Sequence, residues 1–330
     1  MAAEPRPPQV SVIVPVRNRR ALMRELLDAL ALQTFEDFEV VVVDDGSDDG
    51  TAEEAHADAA SGRRVRVVQN EGEGAYVGRR TGVRTSAAPY IAFTDSDCVP
   101  DPGWLSAGVA ALDAGADVVN GFTEPTRTPG PLERTMWSGE EGLYPTCNVF
   151  YRRVAYDGAG GFDVDAERTP LFLRPSEFEK RQGFGEDTRL GWRVRRAGRA
   201  VYEPKAVVRH QVLPPDLRDA LRRAWFSRSF PALFNDVPEL RSGPLCRHGV
   251  VLNTPGRYGV YLVAAALLTR RKGLVAAASG AWVLDRARRL RGPGPTRAQK
   301  LTALPVQLGL DVVSTTALLV GSARFRNVVL

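Results

Sequence analysis

Three apolar runs in the first hundred residues each stop on a polar cluster, and this pattern constrains the fold more than any other feature. "QVSVIVPV" (Gln9 to Val16) leads into "RNR", "FEVVVVDDGS" (Phe38 to Ser47) runs straight into two acids, and "YIAFTDSD" (Tyr90 to Asp97) ends on two more. Near-continuous Val/Ile runs suit strands covered on both faces of a sheet. Open parallel sheets gather ligands at the carboxyl ends of their strands. Between the runs, "RRALMRELLDALALQTF" places Leu22, Leu26, Leu27 and Leu30 at helical spacing. "TAEEAHADAASG" has a helix start at Thr51 and a stop at Gly62, and "GRRTGVRTSAA" reads as a third helix. "VRVVQN" is a short strand. The alternation predicts an α/β fold, a Rossmann-like, mostly parallel sheet flanked by helices.

The middle of the chain is less regular. "ADVVNGFTEP" predicts a strand; "TCNVFYRRVAYDGAGGFD" a strand, a short helix and a glycine turn; "PLFLRPSEFEKRQGFG" an irregular loop. "EDTRLGWRVRRAG" carries helical spacing through Leu190 and Val194 and stops at Gly198, and "AVYEPKAVVRH" is a last strand. From Pro214 the texture changes, which divides the chain into an α/β domain over 1–213 and a C-terminal helical region over 214–330. That tail opens with a basic amphipathic stretch, "PPDLRDALRRAWFSRSFPALF", followed by "YGVYLVAAALL" and "LVAAASGAWVL". Each of the latter two is shorter than the ~20 apolar residues that span a bilayer. The last apolar segment, Leu301 to Val320, carries Pro305, Gln307 and Asp311. Helices packed on the domain and helices lying on a membrane surface both fit this tail.

At 330 residues and 44% hydrophobic, the chain can bury a core large enough for an enzyme. Its net charge of +5 favours an anionic partner such as a nucleotide or a phospholipid surface. Arginine enrichment also follows from a GC-rich coding sequence. No basic-aromatic module is visible, which argues against nucleic acid. Cys98, Cys147 and Cys246 are widely spaced and odd in number, without a CxxC. A disulfide scaffold or structural zinc site does not fit, and a reducing compartment does. "MAAEPRPPQV" has no apolar leader core. The expectation is a cytoplasmic protein, peripheral at the inner face of the plasma membrane if the tail meets lipid.

The polar clusters carry the chemistry. In "VVVDDGSDDGT" the glycines, Ser47 and Thr51 are explained by a turn and a helix cap, but the acids at the strand end are not. A carboxylate there can accept a hydrogen bond from a base N–H or a sugar hydroxyl. "TDSD" has the DxD spacing, and carboxylates are hard oxygen ligands suited to Mg²⁺ or Mn²⁺. Glu186 and Asp187 open a predicted helix, where acids complement the helix dipole or serve as a general base. His210 ends a strand as a structural residue or a metal ligand.

Taken together, "VSVIVPVRNR", "VVVDDGSDDGT", "GAYVGRRTGVRTSAAPYIAFTDSD", "GGFD", "GEDTRLGWRVRRAG" and "VVRH" resemble the family 2 inverting glycosyltransferases, in that family's order and over Val10 to His210. The resemblance implies a GT-A fold and transfer of a sugar from a nucleoside-diphosphate sugar, with uracil as the expected base, to an acceptor hydroxyl. It implies that Pro15 and Arg17 line the base pocket and that Asp45 hydrogen-bonds the base. Asp97 would contact a divalent ion, Mg²⁺ or Mn²⁺, with Asp95 beside it near the ribose or the ion's waters. Asp187 would be the catalytic base, Glu186 would orient acceptor or base, and His210 would reach the metal. The family's Asn-x-Gly before Ala-Arg-Asn is altered: Gly74 and Arg79 keep their places, Arg80 stands where Asn is usual, and Gly72 takes the Asn slot with Asn70 nearby. The "QxxRW" of processive synthases is absent from "LRRAWFSR", which favours single addition. The acceptor (a glycan, a lipid-linked intermediate or a small metabolite) is expected to meet Glu124 to Asn148, with Asn148 and Trp137 as candidate contacts. Two competing readings are a sugar-phosphate nucleotidyltransferase, which would want a glycine-rich loop after the first strand, and a non-catalytic nucleotide-sugar-binding protein.

Overall fold

The computed structural model describes residues 6–70, 74–162, 184–247, 250–251, 256–289 and 296–329. They fall into two units, Met1–Thr126 with Met136–Gln211, and Arg127–Thr135 with Val212–Leu330. The irregular loop expected over 170–185 lies outside the described residues up to 183, as does Gly72.

In the first unit, the strands are β1 (Val10–Val16), β2 (Phe38–Asp44), β3 (Val65–Gln69), β4 (Tyr90–Phe93), β5 (Cys98–Pro100), β6 (Val118–Pro125), β7 (Val149–Arg152) and β8 (Ala200–His210). They form one sheet in the order β3-β2-β1-β4-β7-β6-β8-β5. Helices α1 (Arg20–Ala31), α2 (Thr51–Ala60), α3 (Ala75–Arg84), α4 (Trp104–Asp113), α5 (Arg153–Gly158) and α6 (Glu186–Ala197) connect or flank them. The first three strand predictions hold because side chains alternate between two covered faces. Val10, Val12 and Val14 of β1 join Val40 and Val42 of β2, Leu26 and Leu30 of α1, and Trp104 of α4 in one cluster. Ile13, Val41 and Val43 join Ile91, Phe93 and Leu190 in the other. Burying each such side chain stabilises by roughly 1.5–3 kcal/mol.

The sheet is mixed. β1 runs parallel to β2 and β4, β2 to β3, and β6 to β8. β7 runs antiparallel to both β4 and β6, and β5 antiparallel to β8. Pairing of β6 with β8 breaks midway: Gly121 opposes Glu203, but Phe122 opposes Val207. A bulge of this kind strands backbone carbonyls and bends the longer strand. Asn148 repairs it. Its Nδ2 donates to the carbonyls of Phe122 (2.8 Å) and Ala206 (2.9 Å), and its Oδ1 accepts from Trp104 Nε1 (2.8 Å). Gly121 makes room, since a Cβ there would lie 2.3 Å from Asn148 Oδ1 and 2.4 Å from the Ala206 carbonyl. This corrects the expectation that Asn148 contacts substrate: it is fully buried and its amide closes the sheet. Trp137 is 63% exposed, with its ring edge-on to Phe122 at 5.7 Å.

The second unit is helical, with α7 (Leu217–Phe226), α8 (Phe230–Asp236), α9 (Gly256–Leu268), α10 (Lys272–Arg289) and α11 (Arg297–Phe325), plus a short antiparallel pair, β9 (Cys246–Arg247) and β10 (Val250–Val251). Asp216 caps α7 by accepting from the Arg218 and Asp219 amides, and Thr296 with Gln299 forms a capping box on α11. Leu301 to Val320 therefore lies inside one continuous helix, with Pro305 in its third turn. Over Ala298–Phe325 this helix is long and apolar enough to cross a membrane by length and composition, and 33% of its most apolar stretch is buried in the protein.

Asn148→Ala should leave the Trp104 indole N–H and two carbonyls unpaired in the sheet. Unfolding free energy should fall by about 3 kcal/mol or more. Urea denaturation followed by tryptophan fluorescence checks this.

Candidate active site

β2 ends at Asp44, and its apolar run carries the chain directly into a laced pair of loops. The Asn18 amide donates to Ser47 Oγ (2.9 Å), the Arg19 amide to Thr51 Oγ1 (2.9 Å), and the Asp48 amide to Asn18 Oδ1 (3.0 Å). The loop after β1 is thus held against the loop after β2. Asp45 is buried, with Asn70 Nδ2 donating to Oδ1 (2.5 Å) and the Gly74 amide to Oδ2 (2.9 Å). Gly74 stands at the start of α3. Pro15 is buried on β1 and Arg17 is exposed just beyond it. Asn70, noted in the sequence beside the family's Asn slot, supplies an amide to Asp45 at this point.

α3 then carries Arg79 to the acids after β4. Arg79 is 7% exposed; its Nη2 donates to Asp95 Oδ1 at 2.7 Å, and its Nη1 lies 4.0 Å from Glu186 Oε1. Burial pulls this guanidinium down, but Asp95, then Glu186 and Asp187, outweigh it and hold its pKa above the usual value. Among the described residues its Nε has no hydrogen-bond partner, which leaves a buried donor in reserve.

Asp97 sits two residues on, immediately before β5. The antiparallel register sets Cys98 opposite His210 at the end of β8, and the Gln211 amide donates to the Asp97 carbonyl at 2.8 Å. Asp97 Oδ1 consequently faces His210 Nε2 at 3.5 Å, while Asp97 Oδ2 accepts from Arg19 Nη1 at 3.2 Å. His210 Nδ1 lies 2.8 Å from the Gln211 carbonyl. A carbonyl only accepts, so this contact puts a proton on Nδ1 and leaves Nε2 as the ring atom that faces Asp97. Asp97, Cys98 and His210 offer ligand atoms within 4.8 Å of one another. Burial, then Cys147, pushes the Cys98 thiol well above its ordinary pKa, so it stays protonated and suits a hard cation poorly. Arg19 went unnoticed in the sequence because its target lies far along the chain.

Glu186 and Asp187 open α6 behind Gly185, whose φ of +71° turns the chain into the helix. Trp192 Nε1 donates to the Gly142 carbonyl (2.8 Å) and Thr188 Oγ1 to the Leu143 carbonyl (2.7 Å), which pins the helix start. Asp187 Oδ1 accepts from the Thr188 amide at 2.7 Å. Burial, then the Asp187 charge, raises the Glu186 carboxyl to about 7. Burial likewise raises Asp187, against the Thr188 amide and Arg79. The structure therefore brings Arg79, Asp95 and Glu186–Asp187 into one electrostatic group, sets Asp97 with His210 and Arg19, and leaves Asn148 in the core.

Residues 11–163 match the family described as glycosyl transferase family 2. The chain is 32% identical over 170 residues to glycosyltransferase AglE of Haloferax volcanii, covering 47% of this chain and 56% of that protein. It is 29% identical over 280 residues to the pre-mycofactocin glycosyltransferase of Mycobacterium tuberculosis, covering 76% of this chain and 54% of that one. The chain thus spans little more than half the length of these relatives. The mannosyltransferase PcManGT of Pyrobaculum calidifontis, solved with GDP-Man and Mn²⁺, matches with a TM-score of 0.53 at 19% identity, over 97% of this chain and 88% of that one. S. aureus TarS 1–349, solved with UDP-GlcNAc, matches at 0.50 and 19%, over 97% and 92%. The fold is GT-A.

Glu186 makes stability pH-dependent. Its folded pKa of about 7 exceeds the ordinary 4.5, so between these values the folded protein keeps a proton that the unfolded chain has released. The stabilisation is complete below pH 4.5 and is lost as pH rises through about 7, a change on the order of 3 kcal/mol. Urea midpoints measured at both ends of that window should fall with rising pH in the parent protein, and by about 3 kcal/mol less in Glu186→Gln.

Proposed function

We propose that this chain, whose residues 11–163 match glycosyl transferase family 2, transfers a sugar from a nucleoside-diphosphate donor to an acceptor hydroxyl, with inversion at the anomeric carbon. One observation carries the reading. A carboxylate–imidazole pair, Asp97 and His210, and a buried acid pair, Glu186 and Asp187, belong to one unit, with Arg79 bonded to Asp95 and 4.0 Å from Glu186.

The base of the donor meets Asp45, which accepts a ring N–H in place of Asn70 or Gly74; uracil is the base we assign, with Pro15 and Arg17 bordering it. The metal donors fit a hard divalent ion. A carboxylate oxygen and an imidazole nitrogen 3.5 Å apart, with the other ring nitrogen held by a backbone carbonyl, are donors of the kind such an ion takes. Asp97 and His210, with Asp95 beside them, would hold Mg²⁺ or Mn²⁺, whose charge offsets that of the leaving diphosphate. Arg79 keeps Asp95 in place and offers its spare Nε–H to a donor oxygen.

Asp187 takes the acceptor proton. The acceptor oxygen bonds to the anomeric carbon from the face opposite the diphosphate, and the bond to the phosphate oxygen breaks with its electron pair leaving on the nucleotide. The burial that raises Asp187 makes it a better base once ionised. Glu186, half protonated near pH 7, can donate to or accept from the acceptor and so orient it. One carboxylate suffices as base because the leaving group is an already ionised diphosphate, unlike the two-carboxylate plan of glycoside hydrolases.

Screening nucleotide sugars for Mn²⁺-dependent thermal shift and hydrolysis identifies the donor. With that donor, Asp187→Asn should lower turnover by about 10²–10⁴-fold while leaving the donor dissociation constant nearly unchanged. Full activity in this variant would remove the base assignment. Asp97→Ala should abolish the Mn²⁺ dependence of nucleotide binding measured by calorimetry, and an unaltered dependence would refute its role.

A further inference from the structure

Helices α9 and α10 form a hairpin with unusual exposure. α10 spans 18 residues, contains "GLVAAASGAWVL", and buries none of them. It meets α11 through a polar contact in which Arg286 and Trp282 Nε1 both donate to Asp311. At the tip of the hairpin, Leu267 is 58% and Leu268 87% exposed, with Leu274 at 47% on the other arm, and Leu262 in the middle of α9 is 58% exposed. The turn between the arms is Thr269 to Arg271. Arg270, Arg271 and Lys272 stand there in succession, all exposed.

Isolated surface leucines are ordinary, but a run of them on one tip beside a helix that buries nothing marks an interaction surface. Charge selects the occupant. A second copy of the same tip would bring three like charges against three, which opposes self-docking. Anionic headgroups would meet those charges while the leucines pass below them, the arrangement of an interfacial segment. Length excludes spanning by the first arm: 13 residues at ~1.5 Å each cover about 20 Å, short of a ~30 Å hydrocarbon core. The second arm closes on Arg286, Arg288 and Arg289. We propose that the α9–α10 hairpin seats its tip in the surface of an anionic phospholipid bilayer. This inference stands apart from the sugar-transfer reading, since it uses residues of the helical unit alone.

Vesicle flotation of the full chain tests it. The protein should float with phosphatidylcholine vesicles containing about 30% phosphatidylglycerol and far less with phosphatidylcholine alone, and raising salt from about 50 to about 500 mM should weaken binding at least tenfold. The triple variant Arg270→Gln, Arg271→Gln, Lys272→Gln should lose about 100-fold in affinity for the anionic vesicles. Leu267→Asp with Leu268→Asp should lose comparably, and both variants should keep the parent's far-UV circular dichroism because the altered side chains are exposed. Absence of flotation with anionic vesicles overturns the proposal. So does flotation that both variants retain, which would assign attachment elsewhere, for instance to α11. A concentration-dependent dimer in light scattering that the Leu267→Asp, Leu268→Asp pair dissolves, without vesicle binding by the parent, would show that a second copy covers the tip.

Discussion

Cys98 meets His210 across the antiparallel pairing of β5 with β8, and the rest of the site depends on that register. A slip of one residue would turn the imidazole to the opposite face and part it from Asp97. The register in turn depends on the break in the β6–β8 pairing, where the partner of β6 advances from Glu203 to Val207 in a single step. Asn148 makes that break tolerable by satisfying the carbonyls it strands. A buried amide in the sheet therefore helps set where the last strand delivers a histidine.

Around that frame the acids are kept apart and individually balanced. Asp45 takes two N–H donors, Asp95 takes Arg79, and Asp97 is shared between Arg19 and the edge of His210. Glu186 and Asp187 are handled differently: they are buried, and their proton affinity rises instead. Two ways of relieving charge in one unit separate groups suited to binding cations and polar hydrogens from groups suited to holding protons.

The motifs were legible where function and local structure share a position. Acids after β2 and β4 and at the start of α6 could be read because an apolar strand or a helix start announces the place. The roles of Arg19 and Asn148 could not. Each acts on a partner remote in sequence, and each looks locally like an ordinary polar residue at a strand end or in a loop. Asn148 was misread because a polar residue inside an undeciphered segment resembles a contact, while the bulge that claims it exists only once β6 and β8 are paired. The tail was half legible: its apolar runs were visible, but the sequence does not say which of their faces stay uncovered.

By itself the sequence determined the α/β alternation, the two covered sheet faces and the positions of the acids, because side-chain periodicity and strand ends are local properties. The tertiary structure alone decided that Asp97 faces His210, that Arg79 bonds Asp95 while approaching Glu186, and that the α9–α10 tip remains exposed. Those facts follow from register, bulge closure and packing between segments distant along the chain. Local pattern carries no information about them until the strands have paired.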